Sequence, residues 1–301
     1  MNGLPIIKRP EYVLRPRQLW RRLRRDAILA RNQVRLAWEL PIEVALPSHV
    51  GTDIRNLGIY DRVVAEAICR LLDDGEQAFD IGANIGQNVS LMALMAGKRG
   101  RAVAFEPGPR AWSILSRNLE AWSQYDLAPI AAVQKAVSSR IGTARLHEYV
   151  DIGQCSLEDH PPGERTPLEG SGVEIELTTL DSFVPSGADV GLIKIDVEGH
   201  ELSVLEGARR LLEQKRIRDI VFEDFPEQPS PVTLCLQAAG YVVFWLATTW
   251  SKPVLGTLKE RASSVIEVPN FLGTLDPDRA LARFQSTGWR CLRVRAHLKS
   301  K

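Results

Sequence analysis

Apolar residues recur along this chain with two different periods, and the junctions between them mark its elements. The clearest junction is Ala78 to Leu94, AFDIGANIGQNVSLMAL. Ala78 and Phe79 run into Asp80 and Ile81 as a strand entering a sheet, and Gly82 and Gly86 bracket a turn where backbone passes close to a ligand. From Gln87, the residues Val89, Leu91, Met92, Leu94 and Met95 suit a helix packing back on that sheet. Strand, loop and helix in this order predict the first unit of an open α/β sheet, whose ligands sit beyond the carboxyl ends of the strands.

The alternation continues in both directions. Arg55 to Asp74 predicts a helix covering the sheet, with Asn56, Tyr60 and Asp61 available to line a ligand if it folds over the loop. Downstream, Arg101 to Phe105 predicts a second strand, Pro109 to Trp122 a helix, and Ala131 to Val137 a third strand. Ile193 to Ile195 predicts a fourth, followed by a helix from Gly199 to about Leu212 and a strand at Ile220 to Glu223. Thr233 to Ala239 then reads as a helix, Tyr241 to Leu246 and Ser264 to Val268 as strands, and Asp276 to Gln285 as a helix.

The ligand of the Gly82 loop follows from charge. A dinucleotide site wants G-x-G-x-x-G so that backbone can approach a pyrophosphate, and that pattern is absent. Asp80, expected at the strand end, would repel a pyrophosphate but welcome an ammonium group. S-adenosyl-L-methionine carries an α-ammonium, a sulfonium and no phosphate. Glu106, about twenty residues past the loop, is placed for ribose hydroxyls, and Ala136, Val137 and Ser138 fall where a parallel sheet would place adenine.

Three ordered blocks, DIGANIGQ, AFEPGPRAWSILSRNL and LIKIDVEGHELSVLEGA, resemble the FkbM family of S-adenosylmethionine-dependent methyltransferases over roughly residues 55 to 245. The resemblance implies a Rossmann-like class I methyltransferase fold, an α/β architecture with a mostly parallel sheet and helices on both faces. It implies transfer to a hydroxyl of a sugar, glycan or natural-product small molecule. Where the family often has Asn or Gly after the second-strand helix, this chain has Trp122, which bears on packing beside the adenosine pocket. Together with the loop, it assigns the methyl donor to Asp80, Gly82, Ala83, Asn84, Gly86, Gln87, Asn88, Glu106, Pro107, Ala136, Val137 and Asp196.

The second chemical centre is Leu192 to Glu201. In an extended segment Asp196 and Glu198 point the same way, here into the crevice above the sheet. Methyl transfer requires the nucleophile to be aligned and its proton removed. Asp196 is the candidate base or acceptor-positioning carboxylate, with Glu198 and His200 as alternatives or helpers. The next strand ends in Glu223 and Asp224, two more acids at the same edge and candidates for binding the acceptor. Such a cluster could hold Mg²⁺, although hydrogen bonds to sugar hydroxyls account for the same acids without a metal. Ser139 to Asp181 is a long connection in which Arg145 to Val150 and Val173 to Thr178 alternate like an antiparallel pair. A Pro- and Gly-rich insertion lies between, offering Gln154, Ser156 and His160 as acceptor contacts.

Composition narrows the setting. The 301 residues suit one elaborated domain, divided as a basic helical extension (1–50), a catalytic domain (51–270) and a helical tail (271–301). Thirty-eight Lys and Arg against 37 Asp and Glu leave no global field for nucleic acid. Four scattered cysteines read as reduced thiols of a cytoplasmic protein. No apolar run approaches the ~20 residues that cross a bilayer. A basic amphipathic helix after Pro16 suggests packing on the core or on a second copy, with anionic lipid or an anionic substrate as the alternatives. Beside the small-molecule transferase stand an RNA- or protein-directed one and a noncatalytic S-adenosylmethionine-binding module.

Overall fold

The structure, a computed structural model, describes residues 32–152, 155–157, 168, 172–224, 228–249, 251–258 and 270–299. The strand expected at Ser264 to Val268 lies outside these residues, as does the basic helix expected after Pro16 except for its end at Val34 and Arg35, which is extended instead. The described chain opens with two short antiparallel strands, β1 (Gln33–Arg35) and β2 (Pro41–Glu43), whose connection buries Leu36, Trp38 and Leu40. Helices α1 (His49–Leu57) and α2 (Arg62–Leu71) follow. The stretch expected as one helix is broken because Gly58 turns left-handed at φ 78° and closes α1. Asp61 then caps α2 by accepting from the Val64 N–H.

Strand β3 (Gln77–Ile81), helix α3 (Gln87–Ala96), strand β4 (Arg101–Phe105), helix α4 (Pro109–Trp122) and strand β5 (Ile130–Val133) lay down one half of the central sheet, every neighbouring pair parallel. The third strand ends earlier than its apolar run suggests, because polar Gln134 and Lys135 bend the chain out of the sheet. Ala136 and Val137 form β6, which joins β7 (Gly142–Leu146) and β8 (Val173–Thr178) in a separate sheet of order β6-β8-β7. The expected antiparallel pair is therefore present, with its first strand at Gly142–Leu146 instead of Arg145 to Val150.

After α5 (Leu180–Phe183), strand β9 (Val190–Ile195) inserts beside β3. The single helix expected next is two, α6 (Glu201–Glu206) and α7 (Arg209–Glu213). Between them Gly207 is pressed so close to the segment after β6 that a Cβ there would lie 2.0 Å from the Ser138 carbonyl oxygen. Strand β10 (Ile217–Glu223), helix α8 (Pro231–Ala238) and strands β11 (Val242–Thr248), β12 (Pro253–Thr257) and β13 (Asn270–Thr274) complete the sheet, and α9 (Pro277–Gln285) follows. The order is β12-β11-β13-β10-β9-β3-β4-β5, with β13 antiparallel between β10 and β11.

This is a Rossmann-like α/β fold with a mostly parallel sheet. Successive strand residues feed opposite layers: Ala78, Leu192 and Val221 join one buried cluster with α2 and α3, while Phe79, Ile193 and Ile220 join another with α6, α7 and α8. A boundary between residues 270 and 271 would cut β13, and Trp289, Cys291 and Leu292 of the tail are buried in the first cluster. The tail is thus part of the main core, as are residues 36–44. All four cysteines are free. Among the described residues no helix is long and apolar enough to cross a membrane.

Candidate active site

A cavity of about 300 Å³ opens beyond the carboxyl ends of β3, β4, β9 and β10, where an open parallel sheet places its ligands. The loop between β3 and α3 forms its floor. Gly82 and Gly86 are both left-handed, and what they make room for is protein. A Cβ on Gly82 would sit 1.9 Å from the Asp196 carbonyl oxygen. One on Gly86 would sit 2.6 Å from Leu115 Cδ1 and 3.0 Å from Trp122 Cη2, both on α4. Gly82 lines the cavity and Gly86 does not. Trp122, the departure from the family pattern, braces the loop from behind and donates its indole N–H to the Pro41 carbonyl at 2.6 Å.

Asn84 is also left-handed (φ 50°), which turns its N–H toward Glu106 Oε2 at 2.7 Å. The Gly108 N–H, just before α4, reaches Oε1 at 2.8 Å. Both oxygens of a buried carboxyl are thereby held by backbone donors and presented to the cavity. Burial pushes the Glu106 pKa up to about 7, with the two N–H groups and Lys194 opposing it and Asp80 adding to it. The Asn84 side-chain Oδ1 is buried and lacks a hydrogen-bond partner among the described residues. Gln87 pins Tyr60 over the loop, accepting from its backbone N–H at 2.6 Å and donating to its carbonyl at 2.9 Å. Tyr60 and Asp61 line the cavity; Asn56 does not.

Asp80 is not among the lining residues. It is fully buried, directly opposite Lys194 across the β3–β9 pair, with the ammonium 3.4 Å from Oδ1. The same ammonium lies 3.2 Å from Asp196 Oδ2 and donates to the Gly82 carbonyl at 3.0 Å. Burial disfavours its charge, but Asp196 and Asp80 outweigh burial and raise its pKa above the ordinary lysine value.

Asp61, Asp196, Glu198 and Glu223 line one end of the cavity. Burial, then repulsion from Asp196, Glu198 and Asp61, pushes the Glu223 pKa up to about 9. The reason given above for Asp196 and Glu198 sharing a face does not hold, because β9 ends at Ile195 and Glu198 is left-handed at φ 57°. A turn brings both carboxylates to the cavity instead, and the Glu201 carboxylate holds it from behind by accepting from the Val197 and Gly199 N–H groups. His200 also lines the cavity, its Nε2 3.0 Å from Ser138 Oγ.

Pro107, Ala136 and Val137 supply an apolar wall, and Ala83, Gln87 and Asn88 are in the lining. Among the acceptor candidates, Gln154 and His160 lie outside the described residues. Ser156 is buried and absent from the lining, its backbone paired with His147, while its neighbours Cys155 and Leu157 face the cavity. Asp224 is turned away from the cavity into the start of α8, where it accepts from Ser230 Oγ and from Gln228 Nε2. Among the described residues no group of three or more His, Cys, Asp or Glu side chains is arranged to hold a metal ion. Lys194 lines the cavity and is a residue that sequence reasoning passed over. Its signal was a lone lysine in the apolar run LIKID, two positions before Asp196.

Residues 80–243, more than half of the chain, match the methyltransferase FkbM domain. Methyltransferase sdnD of Sordaria araneosa is 30% identical over 185 residues, covering 53% of this chain and 69% of that protein. Hexuronic acid methyltransferase AglP of Haloferax volcanii is 28% identical over 152 residues, covering 48% and 57%. Among solved structures, a SAM-dependent O-methyltransferase from Thermotoga maritima aligns with a TM-score of 0.44 at 13% identity, covering 80% of this chain and 76% of that one.

Proposed function

From the premise that the chain belongs to the FkbM methyltransferase family and is a methyltransferase, we propose that it methylates a hydroxyl of a sugar, glycan or other small hydroxylated natural product, using S-adenosyl-L-methionine. The observation that carries the donor assignment is Glu106, whose two oxygens are fixed by backbone N–H groups and aimed into a cavity where a diol would donate to them. Pro107, Ala136 and Val137 would face the adenine, and Gly82, Ala83, Asn84, Gln87 and Asn88 the rest of the donor. The unpartnered Asn84 Oδ1 offers an acceptor for a donor N–H or O–H, and the carboxylates at the far end suit a cation. When bound, S-adenosyl-L-methionine supplies a methyl group on a positively charged sulfur that leaves as a neutral thioether.

The chain's own contribution is alignment and proton removal. Asp196 lines the cavity with its side chain one-third exposed, so it can meet an incoming hydroxyl and accept its proton. Glu198 and His200 flank it, and Glu223 adds a second carboxyl toward which the acceptor's other hydroxyls can be directed. The name of the AglP relative, a hexuronic acid methyltransferase, supports a saccharide acceptor.

The test is to incubate the purified protein and its Asp196→Asn variant with S-adenosyl-L-methionine and a panel of monosaccharides, hexuronic acids and polyols. S-adenosylhomocysteine and methylated product are followed by mass spectrometry. We expect equimolar formation of both with at least one panel member, and in the variant a loss of turnover larger than its loss of donor affinity. No transfer to any hydroxylated acceptor, with methylation of RNA or protein instead, refutes the acceptor class.

A further inference from the structure

The β3 and β9 strands carry a line of alternating charge from the core to the cavity. Asp80 is wholly enclosed, the Lys194 side chain is 6% exposed, and the Asp196 side chain is 33% exposed. Asp80 and Lys194 are cross-strand partners and so share one face of the sheet, and the Asp196 carboxylate, one residue past the end of β9, reaches the same ammonium at 3.2 Å. The ammonium has three described partners on separate pieces of the site: the Asp80 carboxylate, the Asp196 carboxylate and the carbonyl of Gly82 in the donor loop.

The geometry points to Lys194 as a positioning residue for methyl transfer, which ties the Asp196 carboxylate and the Gly82 carbonyl into one register, with Asp80 as the counter-charge that lets it stay buried. This rests on the transfer reading above. It also recasts Asp80, which in this arrangement acts through Lys194 and touches neither donor nor acceptor.

A lone substitution at Lys194 would leave Asp80 buried without its counter-ion and destabilise the fold for that reason alone. The informative comparison is therefore Lys194→Met against the double variant Asp80→Asn/Lys194→Met, which removes both charges and keeps the side chains close in size. The single variant should melt at lower temperature than wild type, and the double variant should recover most of the loss. Turnover should not recover. With the acceptor identified from the panel, kcat of the double variant should stay down by about 10²-fold, as misplaced catalytic groups typically cost. KM for the donor should move by much less. The acid limb of its pH–rate profile should shift upward, because the ammonium that favours the ionised forms of Glu106 and Glu223 is gone, and the simultaneous loss of the Asp80 charge offsets only the smaller part of this at Glu106.

A stable double variant with wild-type kcat and an unmoved acid limb overturns the inference. If wild type itself transfers to no acceptor, the transfer reading fails separately. The link is then decided by the crystal structure of the double variant: displaced Asp196 carboxylate and Gly82 carbonyl support it, and unchanged positions overturn it.

Discussion

Replacing Glu106 by glutamine isolates one buried carboxyl whose protonation is coupled to folding. Its pKa stands at about 7 against an ordinary 4.5 because burial disfavours the ion more than the two backbone N–H groups favour it. A raised acid binds its proton more tightly in the folded state, so its contribution to stability is fully present below pH 4.5 and is lost as pH rises through 7. The interval corresponds to about 3 kcal/mol. Glutamine does not titrate, and its amide nitrogen would face one of the N–H donors now satisfied by a carboxyl oxygen, a mismatch costing about 1–3 kcal/mol. Urea unfolding at pH 4.5, 6, 7 and 8 should therefore show wild type ahead of Glu106→Gln at the acid end and losing that lead by pH 8. Other raised carboxyls, Asp80, Glu201 and Glu223, slope the curves of both proteins and largely cancel in the difference. The donor adds a second readout. If ribose hydroxyls donate to this carboxyl, calorimetric affinity for S-adenosyl-L-methionine should rise with pH through 7 in wild type and stay flat in the variant. Parallel stability curves for the two proteins would refute the reasoning.

Gly86→Ala should lower the unfolding free energy by about 2–4 kcal/mol, since it combines a left-handed residue with overpacking against Leu115 and Trp122; an unmoved denaturant midpoint would contradict this. Asp224→Asn should cost about 1 kcal/mol by loosening the start of α8, while donor affinity and turnover remain at wild-type values. Lost turnover at intact stability would instead return Asp224 to the acceptor site.

What could be read from the sequence was local. The strand, loop and helix around Gly82 rest on apolar spacing within a few residues, helix α4 on Pro109 at its first turn, and α9 on the Asp276 cap, so these elements fall close to where the periodicity puts them. Glu106 was found because a strand-end acid after a glycine loop is a relation along the chain. The sheet order, by contrast, is a relation across it. Nothing near Asn270 announces that β13 will run antiparallel between β10 and β11, and β6 leaves the main sheet at a bend that an apolar count cannot see. Asp80 and Lys194 become partners only when β9 inserts beside β3, and Asp224 leaves the cavity because Ser230 and Gln228 offer its carboxylate better-placed donors. Spacing and capping act within a turn of helix or a few strand residues, so the sequence declares them. The burial that sets the Glu106 pKa, and the counter-charge that makes a buried lysine tolerable, depend on segments far apart in the chain, and only folding brings them together.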